Sequence, residues 1–187
     1  MQADADITIR KLDVERDVPL LHRWFTLDYA RFWGMQECSE AQTREVYRRL
    51  MASGHATAYM GQFRGEEAFL FECYDPSFDE LGRHYFVAPG DLGMHFFVGP
   101  PRGERIPDFT RRILRALMHF MFDQLQARRI VVEPDVRNDK VHVLNREMGF
   151  VYQREVHLSH KRAALAWCIR DDFNAVITRV SRKEAHP

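Results

Sequence analysis

The sequence predicts a mixed α/β fold, a sheet with helices packed on its faces, in a single domain over residues 1–187. Three observations lead there. The segments read in the order strand, two helices, three strands, helix, strand, helix, two strands, and the middle strand–helix–strand part demands a parallel crossover while the hairpins supply antiparallel pairs. One segment, Pro107 to Leu125, is strongly amphipathic, with Phe109, Ile113, Leu117, Phe120, Met121 and Leu125 recurring at helical spacing. A length of 187 residues with 45% hydrophobic content suffices for one buried core and argues against disorder.

The elements follow in order. Ile7 and Ile9 alternate with polar neighbours and predict a first strand. Asp17-Val18-Pro19 reads as the opening of a helix with Leu20, Leu21, Trp24 and Phe25 on one side, since proline is tolerated in a first turn. Ser39 and Gln42 match a capping box ahead of a second helix, with Val46, Leu50 and Met51 expected inward. Strands at Ala56–Phe63 and Glu67–Tyr74 flank the turn Arg64-Gly65. An irregular stretch from Tyr74 to Gly90 precedes a strand from Asp91 to Gly99, and a loop of that length is more often functional than idle. After the amphipathic helix come a short strand, Arg129–Glu133, and a helix capped by Asn138, carrying Val141, Leu144 and Met148 and closed by Gly149. Strands at Val151–Leu158 and Ala163–Ile169, a helix from Asp171 to Arg179 and a polar, frayed tail over residues 181–187 complete the reading.

Composition excludes several classes. Lys+Arg and Asp+Glu are both 27, so the formal net charge is zero. A nucleic-acid binder or a polybasic membrane-surface module would carry a basic excess. No apolar run is long enough to span a bilayer, and the opening Met1-Gln2-Ala3-Asp4-Ala5-Asp6 is acidic, unlike a signal peptide. Cys38, Cys73 and Cys168 form no disulfide framework and no zinc pair, and His157 and His160 have no carboxylate or thiol at ligand spacing. The expectation is a cytoplasmic enzyme of small molecules with no metal and no permanently bound cofactor.

The element order, with Arg102-Gly103-Glu104-Arg105 between a strand and the long helix, resembles the GNAT acyl-CoA N-acyltransferases. Three further segments sharpen the resemblance: Tyr74-Asp75-Pro76; Pro89-Gly90-Asp91-Leu92-Gly93-Met94-His95-Phe96; and Glu133-Pro134-Asp135-Val136-Arg137-Asn138, followed by His142, Leu144, Asn145, Gly149 and Phe150. Together they are similar to the branch that acylates hydroxylamines in hydroxamate siderophore biosynthesis, including N6-hydroxylysine acetyltransferases and N-hydroxy-diamine acyltransferases. The resemblance implies a mostly antiparallel twisted sheet with helices on both faces. It implies acetyl-CoA or succinyl-CoA as co-substrate, a small hydroxylamine as acceptor and a monomer or homodimer. Two other readings stay open: a general amine or antibiotic acetyltransferase, and a non-catalytic acyl-CoA sensor on the same fold.

The resemblance also assigns roles. His95 stands in an apolar run, where a polar ring is either a core histidine bonded to backbone or, as the Gly-Met-His motif implies, the base that collects the proton of the attacking nitrogen. Asp135, at the end of the next parallel strand, is expected to orient His95 or to cap the following helix. The backbone of Phe97, Val98 and Gly99 is the candidate oxyanion donor. Gly103 with Arg102, Arg105 and Arg111 is expected to hold the phosphates, with Arg112 as a further candidate, although Pro107 removes an N–H donor there. Asn138 and Asn145 are placed on the CoA side. Asn145 occupies a position where many GNAT enzymes carry a tyrosine, and an amide is a poor proton donor. Phe32 and Trp33 are candidates to wall the acceptor tunnel, or else core aromatics, and Tyr74 and Asp75 to contact the acceptor, with Asp75 holding the distal ammonium of a diamine.

Overall fold

The computed structural model describes residues 4–101 and 103–184, with side chains up to residue 179. The chain forms two compact units, one running up to Tyr74 and taking in His95–Ala116, the other made of Asp75–Met94 and the chain from Leu117 onward. The strands form a seven-stranded sheet in the order β1-β2-β3-β4-β5-β7-β6, and β4 contributes residues to both units.

The first unit opens with β1 (Ile7–Lys11) and α1 (Val14–Phe25). Helix α1 starts ahead of the expected Asp17-Val18-Pro19 opening. The Asp13 carboxylate accepts the Arg16 N–H at 3.1 Å, and the Asp13 N–H donates to Asp17 at 2.9 Å, so the cap lies at Asp13 and Pro19 falls inside the helix. A 3-10 turn (Asp28–Phe32) leads to α2 (Glu40–Ala52), whose N-terminus carries the expected reciprocal Ser39–Gln42 capping box. Of the residues expected inward on α2, Leu50 and Met51 pack against the core. Thr43 and Tyr47 are fully buried, whereas Val46 is exposed.

Strands β2 (Ala56–Phe63) and β3 (Glu66–Tyr74) form an antiparallel hairpin, with Ala58 opposite Glu72 and Met60 opposite Leu70. Arg64 (φ 51°) and Gly65 (φ 84°) both take positive φ, as a two-residue hairpin turn requires. Strand β1 pairs antiparallel with β2 on the other side. Ala58, Met60, Leu70 and Phe97 gather with Val18, Leu21, Trp24 and Phe25 of α1 and Tyr47 of α2 into one core. Burying each large apolar side chain there contributes roughly 1.5–3 kcal/mol.

In the second unit, β4 (Asp91–Val98) pairs in parallel with β5 (Arg129–Val132) through Asp91, Leu92 and Gly93 only. Strand β7 (Lys161–Ile169) pairs antiparallel with both β5 and β6 (Val151–Leu158). The buried Asp91 carboxylate takes the Arg129 guanidinium at 2.6 and 2.7 Å, and that guanidinium lies 4.5 Å over the Trp167 ring. The stretch before β4 is built rather than loose, since Asp75 and Asp79 cap successive 3-10 turns, Pro76–Phe78 and Glu80–Arg83.

Helix α3 (Phe109–His119) ends in a π turn over Phe120–Gln124, so the expected long helix is present with a widened last turn. Ile113, Leu117 and Met121 of its predicted stripe are fully buried. Helix α4 (Asp139–Glu147) is followed by Gly149 at φ 90°, where a Cβ would meet the Asp172 carbonyl oxygen at 3.0 Å. Asn138 precedes α4 but makes no side-chain cap, contrary to expectation. Helix α5 (Arg170–Glu184) continues past the expected end at Arg179 through the first four residues of the stretch expected to be frayed, and residues 185–187 lie outside the described ones.

Candidate functional site

Strand alternation sets the site in the first unit. Leu70, Glu72 and Tyr74 of β3 share one face, as do His95 and Phe97 of β4. Leu70 and Phe97 belong to the core on which α1 and α2 pack, so Glu72 and His95 are carried onto an apolar face. A carboxylate placed there needs partners. Glu72, with only 14% of its side chain exposed, has them on both oxygens. Oε1 accepts the Tyr47 hydroxyl at 2.8 Å, and Oε2 lies 3.3 Å from Nδ1 of His95. Because a carboxylate only accepts, Nδ1 carries the proton and Nε2 of a neutral imidazole carries the lone pair.

Tyr47 is wholly buried. Burial, followed by the charge and hydrogen bond of Glu72, pushes its phenol well above the ordinary value, while a hydrogen bond from Trp33 acts in the opposite sense. Tyr47 thus donates to Glu72, and Glu72 accepts from His95. Around the imidazole, Tyr74 lies at 5.0 Å and the Trp33 ring meets it edge-on at 6.4 Å. Trp33 also stacks on Phe25 at 5.6 Å. The His95 side chain keeps 36% exposure, enough for a small molecule to reach it. Expected as site residues, His95, Trp33 and Tyr74 are thus brought together, with Phe97 meeting the Trp33 ring at 5.7 Å.

At Nδ1 of His95 the structure places the Glu72 carboxylate, a partner the sequence reading did not name. Asp135 is occupied in its own unit, where both oxygens take the Arg137 guanidinium at 2.7 and 2.8 Å and Oδ1 also accepts the Arg137 N–H at 2.9 Å. The paired guanidinium lowers the Asp135 pKa to about 2. Sequence reasoning missed Glu72 and Tyr47. The available signal was a lone acid inside Phe69-Leu70-Phe71-Glu72-Cys73-Tyr74, in phase with Leu70, and a tyrosine one helical turn from Thr43.

The residues expected on the CoA side divide. Gly99 donates its N–H to the Ala68 carbonyl at 2.8 Å and lies under the Trp24 indole, so that N–H is already engaged. Val98 offers its carbonyl to the Tyr29 hydroxyl at 3.1 Å. Gly103 takes φ 92° with open space where a side chain would start, and Arg105 is exposed. Arg111 pairs with Asp108, and Arg112 is held by Asp4 and Asp6. Arg102 lies outside the described residues. Phe32 carries the Arg31 guanidinium 4.8 Å over its ring. Asp75 accepts the Ser77 N–H at 2.8 Å on one carboxylate oxygen, Oδ1. Asn138 and Asn145 lie at the start and on the inner side of α4, Asn145 with 2% exposure.

Comparison with known proteins gives a consistent picture. The family model described as an acetyltransferase (GNAT) domain matches residues 13–158. The N-hydroxyputrescine acetyltransferase of Acinetobacter baumannii is 22% identical over 165 residues, covering 88% of this chain and 78% of that protein. The N(6)-hydroxylysine O-acetyltransferase of Escherichia coli is 27% identical over 171 residues, covering 89% of this chain and 53% of that protein, so the chain spans about half its length. In fold, an uncharacterised protein from Bacillus halodurans superposes with a TM-score of 0.83 at 24% identity, covering 91% of this chain and 87% of that one.

Proposed function

The chain belongs to the acetyltransferase (GNAT) domain family and is an acyl-CoA N-acyltransferase, and we propose that its acceptor is the hydroxylamine nitrogen of an N-hydroxy-diamine or of N6-hydroxylysine. The product is a hydroxamate for siderophore biosynthesis and iron acquisition, made in the cytoplasm from acetyl-CoA or succinyl-CoA. The observation that carries this reading is the His95–Glu72 pair, 3.3 Å apart and walled by Tyr74 and Trp33, in a chain whose relatives act on N-hydroxylated amines by name.

In this mechanism an N-hydroxyl group lowers the basicity of its nitrogen, so the acceptor enters neutral near pH 7. Its lone pair attacks the thioester carbonyl and the C–N bond forms. As the nitrogen becomes cationic, Nε2 of His95 takes its proton, and Glu72 holds the ring in the tautomer that allows this. The oxyanion collapses, the C–S bond breaks and CoA leaves as the thiolate. Glu72 thereby fills the part that the sequence assigned to Asp135. Phe97 and Val98 on β4 remain the backbone candidates for the oxyanion donor, and Gly103, Arg105 and Arg111 lie in the segment offered to the phosphates. Phe32, Trp33 and Tyr74 line the acceptor side.

The test is thiol release from acetyl-CoA and succinyl-CoA with N6-hydroxylysine, N-hydroxyputrescine, N-hydroxycadaverine and their non-hydroxylated parents, followed by addition of ferric iron. Turnover confined to the hydroxylated acceptors, with products that form coloured ferric complexes, is the expected result. Equal turnover of the parent amines would make the protein a general amine acyltransferase. Thiol release without an iron-binding product would place the acyl group on oxygen.

A further inference from the structure

The turn between α1 and α2 is tied to β4 by a contact that the mechanism does not use. Tyr29, in the 3-10 turn Asp28–Phe32, donates its hydroxyl to the Val98 carbonyl at 3.1 Å. Successive backbone groups along a strand point to opposite sides. Gly99 sends its N–H to Ala68 of β3, so the Val98 carbonyl points away from β3, and Tyr29 supplies the donor that such a carbonyl needs. Partial burial pushes the Tyr29 phenol up to about 12, so it keeps its hydrogen well above neutral pH. The Tyr29 ring lies flat on Phe97, 5.5 Å away with 12° between their planes, and the Trp33 ring meets Phe97 at 5.7 Å. Between them the backbone is fixed: the Ala30 N–H donates to Leu27 at 2.9 Å and the Trp33 N–H to Ala30 at 2.7 Å. One turn therefore carries both rings at a set spacing, and what holds Tyr29 also holds Trp33. Stacked rings tolerate a range of offsets, whereas a hydrogen bond fixes distance and direction.

We propose that Tyr29 is a positioning residue for the acceptor: its bond to the Val98 carbonyl sets where this turn lies on β4, and so how closely Trp33 closes over His95. This rests on the acceptor reading above. The Trp33 ring stands edge-on to His95 at 6.4 Å, and a shift of the turn along β4 carries that edge with it. Phenylalanine at position 29 keeps the ring on Phe97 and loses only the hydroxyl. The acceptor then binds the fraction of molecules in which the Trp33 wall is in place, and its apparent affinity falls by that fraction. The net worth of one hydrogen bond bounds the effect. The rate of the bound complex depends on His95 and Glu72, whose own 3.3 Å contact does not involve the turn.

The experiment compares steady-state constants of the wild type, Tyr29→Phe, Trp33→Ala and the double variant with N-hydroxyputrescine, N-hydroxycadaverine and N6-hydroxylysine. Amide hydrogen exchange of the Ala30 and Trp33 N–H groups is measured alongside, without substrate. Expected for Tyr29→Phe is a rise of roughly 3- to 12-fold in acceptor KM, with kcat and acyl-CoA KM within about 2-fold. Exchange at Ala30 and Trp33 is expected to quicken by a similar factor. In the Trp33→Ala background, Tyr29→Phe is expected to change acceptor KM no further, because the wall it positions is gone. An unchanged acceptor KM in folded Tyr29→Phe, additive effects of the two substitutions, or wild-type exchange at Trp33 would overturn the proposal. A fall in kcat with acceptor KM unchanged would also overturn it, and would assign the hydroxyl to the Val98 backbone instead. A wild type that acylates none of the three acceptors would overturn the acceptor reading, and the exchange rates would still decide whether Tyr29 holds the turn.

Discussion

Nδ1 of His95 faces Oε2 of Glu72 across 3.3 Å, and the other oxygen of Glu72 is taken by the buried Tyr47 hydroxyl at 2.8 Å. The two contacts together decide which nitrogen of the ring is basic. Tyr47 donates its hydroxyl hydrogen to residue 72, and a glutamine side chain accepts only through its oxygen. In Glu72→Gln the amide oxygen must therefore stay on Tyr47, leaving the NH2 group to face Nδ1. Nδ1 then becomes the acceptor and Nε2 carries the hydrogen, the wrong tautomer for a base. Expected is a fall in kcat of roughly 10- to 10³-fold for Glu72→Gln and roughly 10²- to 10⁴-fold for His95→Ala, with stability little changed in the former. Single-turnover rates of the folded variants check this, and a Glu72→Gln enzyme of wild-type rate would remove Glu72 from the mechanism.

Tyr47→Phe tests the same chain from its buried end. The ring volume is kept, but Glu72 loses a partner in an apolar setting. A loss of about 1–3 kcal/mol in unfolding free energy is expected, read from urea midpoints at constant m-value.

Acid sensitivity should trace partly to Asp135. Its pKa is lowered from 3.8 to about 2, chiefly by the hydrogen bonds of Arg137. A lowered folded-state pKa means the contribution is complete above the unfolded value near 3.8 and is lost as pH falls toward 2. The Arg137 side chain is 75% exposed, so solvent screening holds the contribution to about 1–2 kcal/mol. Asp135→Asn should lower stability at pH 6 by that amount and leave it nearly unchanged at pH 2, as urea titration at both pH values would show. An equal loss at both would assign the effect to packing.

Thiol chemistry should separate the three cysteines. Burial pushes the Cys73 and Cys168 thiols up to about 12, whereas Cys38 is partly exposed. Native protein at pH 8 is expected to release one equivalent of chromophore from a disulfide reagent quickly and the remainder only on unfolding. Rapid labelling of Cys73, identified by peptide mass, would contradict the packing between β2 and β3.

The sequence by itself determined the element order, the capping box at Ser39 and the hairpin turn at Arg64-Gly65, because caps, turns and periodicity are local. It placed the start of α1 late because Pro19 is a strong signal, while the Asp13–Asp17 exchange that caps the helix depends on where two side chains turn. It also placed Val46 inward on α2, where Leu50 and Met51 do pack against the core but Val46 is exposed. Helical spacing marks an apolar stripe, but only the sheet it packs on shows that Thr43 and Tyr47 are the buried positions. The partner of His95 was decided by tertiary structure alone. Glu72 lies on a neighbouring strand and Tyr47 on a helix, and strand register with helix packing brings the three together at separations no motif encodes. Asp135, chosen by its place at the end of a parallel strand, forms a bidentate pair with Arg137 two residues away, a contact that the sequence reading did not name.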